Sequence, residues 1–341
     1  MYMFSPLPPW LEGPQRQLGA AFSGARPPHA LLILGAEGLG AELLAGWIAA
    51  RVLCVGEGGR PCGRCRSCAA LDRGVHPDLA WLTPLEDSKQ IRIDEVRELI
   101  DVLALTSHQG GYKVAVVFPA QALNVNAANA LLKTLEEPAA HTLLMLVAHR
   151  RARLPATIVS RCQRVMISAP TGVTASEWLR QQLPGFDAST MLRFARGAPL
   201  RALDLAAREF ESVDRDMREV ADRLGRGALD VPAAAESWTK TAKGGLADRV
   251  TWLETWVTEA IAGALGGVQT AQGGASRGLP AAHETQKIRR LYRVLDRLRQ
   301  LRVASTTSLN MTMAVESLLL DLRQALAATA KEPANGVGNR S

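Results

Sequence analysis

Short apolar runs alternate with amphipathic segments along the first half of the chain. The runs expected to form strands are His29–Leu34, Leu79–Leu82, Lys113–Phe118, Leu143–Ala148 and Arg164–Ile167. Nearly continuous apolar runs of this kind are typical of parallel strands that are buried on both faces. The pattern therefore predicts an α/β fold in which helices cover a mostly parallel sheet.

Helical spacing of apolar residues predicts the helices between these strands. Asp94 is expected to cap one of them and Asn126 another, because short polar side chains favour helix starts. A strand and turn are expected over Leu154–Val159. Four helices are expected: one at Gln15–Ser23, one that runs from the loop at Gly40 to about Leu53, one that starts at Asp94, and one at Ala127–Glu137 that stops before Pro138.

The pattern changes at Pro170, after which no strand is expected. Three short helices are expected between Thr174 and about Ala206, and long helices follow, including Lys287–Val303 and Ser308–Leu326. The Gly/Ser-rich stretch 271–280 is expected to be a mobile loop. The predicted domains are an α/β module at 1–168 with an inserted cysteine knuckle at 54–68, a helical lid at 169–206, a helical domain at 207–329 and a disordered tail at 330–341.

Composition limits the class of protein without identifying it. Apolar residues make up 47% of the 341 residues, enough for a sizeable core, and the net charge is +7. The pI of about 9.5 favours an anionic partner such as nucleic acid. No apolar run approaches the roughly 20 residues of a membrane span, and the proline-rich start lacks the charged region of a secretory signal. We expect a cytoplasmic protein.

The stretch from Leu31 to Glu42 has the form of a phosphate-binding loop: an apolar strand, then Gly35, Gly38 and Gly40, then a helix. A working loop of this class continues with lysine and a serine or threonine, which hold the outer phosphates and magnesium. Here Ala41 and Glu42 follow instead. The carboxylate would repel phosphate, so we expect a nucleotide-binding scaffold without its chemistry.

A second catalytic element is missing from the strand at Lys113–Phe118. In a phosphate-loop enzyme the end of this strand supplies acidic residues for magnesium and water. Pro119 and Ala120 occupy those places here. A displaced strand end does not explain the loss, because no Asp or Glu lies between Asp101 and Glu136.

Four of the chain's five cysteines form one tight cluster in the sequence. Four thiolates at this spacing can surround one tetrahedral ion, and a closed four-thiolate shell is typical of structural zinc. Four ordinary thiols or an iron–sulfur cluster are the alternatives. Nearby arginines, at 60, 64, 66 and 73, can contact phosphate or simply be solvated. The clustered residues are Cys54, Cys62, Cys65 and Cys68.

Two further motifs say little alone but identify a family together. Residues 128–138 read Ala-Asn-Ala-Leu-Leu-Lys-Thr-Leu-Glu-Glu-Pro, and residues 160–162 read Ser-Arg-Cys. With the degenerate phosphate loop, the cysteine knuckle and the late stretch 309–319, this order resembles the bacterial clamp-loader subunits of DNA polymerase III. The likeness is to the delta-prime type, because the gamma and tau ATPase subunits keep an intact loop and an acidic strand end.

The resemblance implies an AAA+ module with a RecA-like parallel sheet, a small helical lid and an all-α collar that joins five subunits into a ring. It implies gamma or tau and delta subunits as partners, with the sliding clamp and primer–template DNA bound through the complex. In that family the Ser-Arg-Cys arginine reaches into a neighbour's ATP site, and by position Arg161 is that residue. Arg201 resembles the lid's sensor arginine and is expected to be vestigial.

Two other hypotheses remain at this point. An active ATPase with an unorthodox loop would need substitutes for the lysine at Ala41 and the acids at Pro119 and Ala120, and none lies nearby. A zinc-dependent nucleic-acid-binding module outside any ring would not need the Ser-Arg-Cys turn. We therefore favour a non-catalytic clamp-loader subunit with structural zinc and no functional ATP site.

Overall fold

The computed structural model describes residues 6–85, 88, 90–149, 154–240, 245–265, 282–304 and 310–327. The loop expected at 271–280 and the tail expected at 330–341 lie outside these residues. The chain divides into two compact units, Met1–Leu203 and Asp204–Ser341. No described helix is both long and apolar enough to cross a membrane.

The first unit is built around a parallel sheet in the order β2-β3-β4-β1-β5. In this order β1 lies between β4 and β5. Because all strand pairs are parallel, the carboxyl end of β1 lies at the same edge of the sheet as theirs. The predicted parallel sheet is confirmed. The strands are β1 (Ala30–Gly35), β2 (Leu79–Leu82), β3 (Lys113–Val117), β4 (Thr142–Ala148) and β5 (Gln163–Ile167).

Alternate residues of β1 face opposite sides of the sheet, and both sides are buried. Leu31 and Ile33 join one apolar cluster, and Leu32 and Leu34 join the other. This explains why the strand sequence is continuously apolar rather than alternating. The helices of this unit are α1 (Glu12–Ala21), α2 (Ala41–Leu53), α3 (Arg66–Asp72), α4 (Ile93–Ala104), α5 (Val125–Glu136), α6 (Ala156–Val159), α7 (Gly172–Gln182) and α8 (Ala188–Phe194), and α9 (Pro199–Ala207) runs across the division between the units.

Three local predictions are wrong. Asn124, not Asn126, caps α5: its Oδ1 accepts a hydrogen bond from the Ala127 amide at 2.8 Å. Helix α4 starts after Arg92, whose amide donates to Glu95 at 2.7 Å, so Asp94 lies inside the first turn. The residues before Ser160 form α6 rather than a strand and turn, because their amides bond to carbonyls one helical turn back: Val159 donates to Pro155 at 3.2 Å and Ser160 to Ala156 at 3.0 Å.

All regular secondary structure in the described residues of the second unit is helical, as the pattern predicts. Its helices pack along apolar stripes, and the stripe predicted on α13 from Ile288 to Leu298 is buried. The Trp252 side chain is 1% exposed. Its Nε1–H donates a hydrogen bond to Asp214 at 2.6 Å, so the indole N–H has a partner inside this core. The helices are α10 (Phe210–Gly225), α11 (Val231–Lys240), α12 (Leu246–Ala264), α13 (Ala282–Ala304) and α14 (Met311–Ala327).

Candidate functional site

The loop between β1 and α2 has the backbone of a phosphate-binding loop. Gly38 and Gly40 have φ angles of 80° and 85°, a left-handed conformation that glycine adopts without strain. Gly40 directly precedes α2, and its carbonyl accepts the first hydrogen bond of the helix from Leu44 at 3.0 Å. The glycines therefore have the positions in the fold that the sequence predicted for them.

Protein atoms cover this loop closely. The Leu200 amide donates to the Gly38 carbonyl at 3.1 Å, and a Cβ on Gly38 would lie 2.5 Å from the Cβ of Arg201. A Cβ on Gly40 would lie 3.1 Å from Leu11 Cδ1 and 3.0 Å from Leu200 Cδ1. The glycines thus leave room for the start of α9 and for Leu11.

Of the two residues that replace the lysine and hydroxyl of a working loop, Ala41 is buried and Glu42 is half-buried. Ala41 is fully buried in the same cluster as Leu11, Leu39 and Ala198. One carboxylate oxygen of Glu42 is buried and has no hydrogen-bond partner among the described residues. A carboxylate beside a bound phosphate would repel it, so we expect Glu42 to oppose nucleotide binding.

The carboxyl end of β3 also lacks acidic groups, and its neighbours bond to one another. Pro119 follows the strand, and Ala120, which is fully buried, begins a short 3₁₀ helix. The Gln121 side chain accepts a hydrogen bond from the His149 amide at 3.1 Å, and His149 Nδ1 lies 3.3 Å from the Gly35 carbonyl oxygen. Sequence reasoning missed Gln121 and His149, because only the sheet brings the ends of β1, β3 and β4 together.

Arg161 lies at the end of α6, just before the edge strand β5. Its Nη1 donates to the Thr157 carbonyl at 3.0 Å and lies 3.4 Å from Ser160 Oγ, and its Nη2 forms an ion pair with Glu136. The Arg161 side chain is 35% exposed. The arginine is therefore at the surface, and its partner comes from the other motif that the sequence singled out, at the end of α5.

The four clustered cysteines are brought together as predicted. Their sulfur atoms all lie within 4.8 Å of one another, with Cys54 and Cys65 4.0 Å apart and Cys62 and Cys68 3.9 Å apart. A tetrahedral site with Zn–S bonds of about 2.3 Å requires sulfur atoms about 3.8 Å apart, so the geometry fits one metal ion. The fifth, Cys162, is buried elsewhere, and burial raises the pKa of its thiol to about 11.

Backbone amides prepare part of this cluster for negative charge. Burial alone would raise the pKa of Cys65, but hydrogen bonds from the backbone of Cys68 and Val55 outweigh it and lower that pKa to about 6. A backbone hydrogen bond from Arg64 is the main cause of the lowered pKa of Cys62. Because thiolates are the metal-binding form of cysteine, these amides favour at Cys62 and Cys65 the charge state that an ion requires. At Cys68, in contrast, burial raises the pKa of the thiol to about 12.

Comparison with known proteins supplies the family. A sequence model of the family described as DNA polymerase III, delta subunit, matches residues 12–171. The DNA polymerase III subunit delta' of Pseudomonas aeruginosa is 38% identical over 238 residues, which are 67% of this chain and 70% of that protein. This chain belongs to the delta-prime family of DNA polymerase III subunits. The matching protein of Haemophilus influenzae is 40% identical over 198 residues, 58% of this chain and 60% of that one.

The delta-prime family is also related to subunits of another kind. A DNA polymerase III subunit tau/gamma of Haemophilus influenzae is 28% identical over 202 residues, which are 58% of this chain but 29% of that protein. The two kinds of subunit therefore share a module of about this size. The likeness agrees with the predicted relationship to clamp-loader subunits.

Proposed function

We propose that this chain is a clamp-loader subunit that does not hydrolyse ATP and that instead supports an ATP site on a neighbouring subunit through Arg161. The single observation that carries the proposal is an asymmetry. The chain's own phosphate loop has Ala41 and Glu42 in place of its cation and hydroxyl and is covered by Leu11 and Leu200. The Ser-Arg-Cys arginine, in contrast, is retained at the surface.

Family membership supports the partners in this proposal. We place the chain in a heteropentamer with gamma or tau subunits and a delta subunit, which loads the sliding clamp onto primer–template DNA during replication. The helical unit would serve as the collar between subunits. Arg201 has no sensor role in this proposal, because its backbone packs on Gly38 of the degenerate loop.

Zinc has a structural role in the proposed function. Cys54, Cys62, Cys65 and Cys68 would hold one Zn²⁺ in a closed four-thiolate shell. Such a shell leaves no open position for a substrate or water, so the metal would stabilise the knuckle and take no part in a reaction.

Arg161→Ala tests this function. A cation supplied in trans to the departing phosphate can be worth about 10³–10⁵ in rate in other phosphoryl-transfer systems. We expect Arg161→Ala to leave folding, zinc content and ring assembly intact and to slow ATP hydrolysis by the reconstituted complex with saturating primed DNA and clamp. Arg161→Lys should recover only part of the lost rate of ATP hydrolysis, since lysine has the charge but not the planar guanidinium.

Two results would contradict the proposed function. Equal ATPase rates for the wild-type and Arg161→Ala complexes would remove the trans role. A loss of DNA affinity with an unchanged maximal rate would show that Arg161 binds DNA phosphate instead.

A further inference from the structure

We infer that Glu136 is a positioning residue, which fixes the Arg161 guanidinium in the direction needed by the neighbouring ATP site. The inference rests on the proposed function and adds a residue to it. Glu136 is the last residue of α5 and pairs with Arg161 Nη2 across the contact between α5 and α6.

The position of Glu136 in its helix supports a role outside the helix. Carbonyl groups give the carboxyl end of a helix a partial negative charge, so a carboxylate there is unfavourable for the helix itself. The Glu136 side chain is 50% exposed and makes its ion pair with Arg161, 25 residues further along the chain. The carboxylate therefore serves the arginine rather than the helix.

The contacts of Arg161 leave part of the guanidinium free for an external anion. Thr157, Ser160 and Glu136 all contact Nη1 or Nη2. A guanidinium has five N–H donors, so these contacts, which are those among the described residues, use three. Nε and a second hydrogen of Nη2 stay available. Arg161 can therefore bind a phosphate oxygen while it remains on its three anchors.

Anchoring of this kind matters because an arginine side chain is otherwise mobile. Its long side chain has many rotamers, and that freedom must be lost when the guanidinium meets a transition state. A displacement of about 1 Å in a catalytic group can cost about 10² in rate. A carboxylate that restricts the guanidinium before the subunits meet reduces both losses, and the effect falls on kcat rather than on ATP affinity.

Glu136→Gln tests the inference, with Glu137→Gln as the matched control. Glu137 is the adjacent residue, has the same charge, is exposed and has no side-chain bond among the described contacts. In the reconstituted complex with saturating primed DNA and clamp, Glu136→Gln should lower kcat about two- to fivefold, which is less than the loss in Arg161→Ala, because an exposed ion pair restrains the guanidinium only weakly. The KM for ATP should be unchanged. Glu137→Gln should retain the wild-type kcat.

Two further variants separate positioning from a structural role. The double variant Glu136→Gln/Arg161→Ala should hydrolyse ATP no more slowly than Arg161→Ala, because both changes act through one guanidinium. Glu136→Asp should recover part of the kcat. Melting temperatures of the single variants should match that of the wild type, since an exposed ion pair contributes little to folding stability.

The possible outcomes distinguish this inference from the proposed function. A normal kcat for Glu136→Gln beside a slow Arg161→Ala would overturn the inference and leave the proposed function standing. A faster Glu136→Gln would also overturn it, because Glu136 would then compete with phosphate for the arginine. A normal kcat for Arg161→Ala would remove both.

Discussion

At the scale of single residues, the glycines of the loop have a use that does not involve phosphate. Gly38 admits the backbone of Arg201, Gly40 admits Leu11 and Leu200, and a Cβ on Gly35 would lie 3.1 Å from Ile167 Cβ. Packing, together with the positive φ angles of Gly38 and Gly40, thus accounts for these three glycines. The loop sequence predicts the backbone conformation of the loop correctly. In the fold, that conformation lets neighbouring protein atoms pack closely against the loop.

The cysteine cluster leads to a prediction at the same scale. Wild-type protein should contain one zinc per chain by elemental analysis, and Cys65→Ser should lose it and melt at a lower temperature. The physical reason is that metal binding in a closed thiolate site contributes folding free energy. Cys162→Ala is the control, because that thiol lies outside the cluster, and it should retain one zinc. Wild-type protein that purifies without zinc, or a Cys65→Ser variant that melts at the wild-type temperature, would contradict the prediction.

At the scale of elements, a buried polar network joins the cysteine knuckle to the sheet. Ser67, on α3, donates to the Leu53 carbonyl at 2.6 Å and lies 2.9 Å from His76 Nε2, and the Asp78 amide donates to His76 Nδ1 at 3.1 Å. Asp78 in turn accepts a hydrogen bond from the His108 amide at 2.9 Å. These contacts require a neutral imidazole with its proton on Nε2.

This network predicts how stability depends on pH. Burial is the main cause of the lowered pKa of His76, so below the ordinary value of 6.5 the unfolded chain binds a proton that the folded chain does not. The free energy of unfolding should therefore fall as the pH drops below 6.5, by at most about 1.4 kcal/mol per pH unit for this one group. His76→Asn should be less stable than wild type at pH 8, and the difference should narrow toward pH 5.5.

Urea unfolding of both proteins with zinc present measures this effect. Comparing the two proteins at each pH cancels the titration of groups that they share. A difference in free energy of unfolding that stays constant from pH 8 to pH 5.5 would show that the imidazole does not remain neutral in the folded protein.

At the scale of the whole molecule, the groups that a phosphate-loop enzyme uses on a nucleotide are missing from several separate elements. The loop after β1 lacks its cation and hydroxyl, the end of β3 lacks acids, and α9 begins directly against Gly38. Restoring one group leaves the others missing. This is the physical basis for the proposal that the chain supports a neighbouring site rather than its own.

The isolated chain should accordingly show no ATP hydrolysis above background. Ala41→Lys should also stay at background, because magnesium would still lack its ligands. This variant should melt at a lower temperature, since Ala41 is fully buried in an apolar cluster and an unpaired ammonium there is costly. Phosphate release from purified wild-type chain is the measurement. ATP hydrolysis above background that co-purifies with the protein over successive chromatography steps would contradict the prediction.

The sequence by itself determined the parallel sheet, the helical second half and the cysteine cluster. These features follow from local order: apolar runs predict buried strands, and Cys62, Cys65 and Cys68, which are spaced by two residues, must lie close together in space. At α5 Asn124 and Asn126 have the same capping propensity, and only the backbone conformation selects Asn124. At α4 propensity favours Asp94, but the helix starts after Arg92, whose amide is satisfied by the Glu95 side chain.

Tertiary structure alone decided what the candidate residues touch. Glu136 and Arg161 are separated by 24 residues of chain, and packing of α5 against α6 makes them partners. Gln121 and His149 meet because parallel strands end at one edge of the sheet, and Arg201 reaches Gly38 because α9 folds back onto the loop. Contacts of this kind depend on how distant segments pack, a property that no local pattern of residues contains.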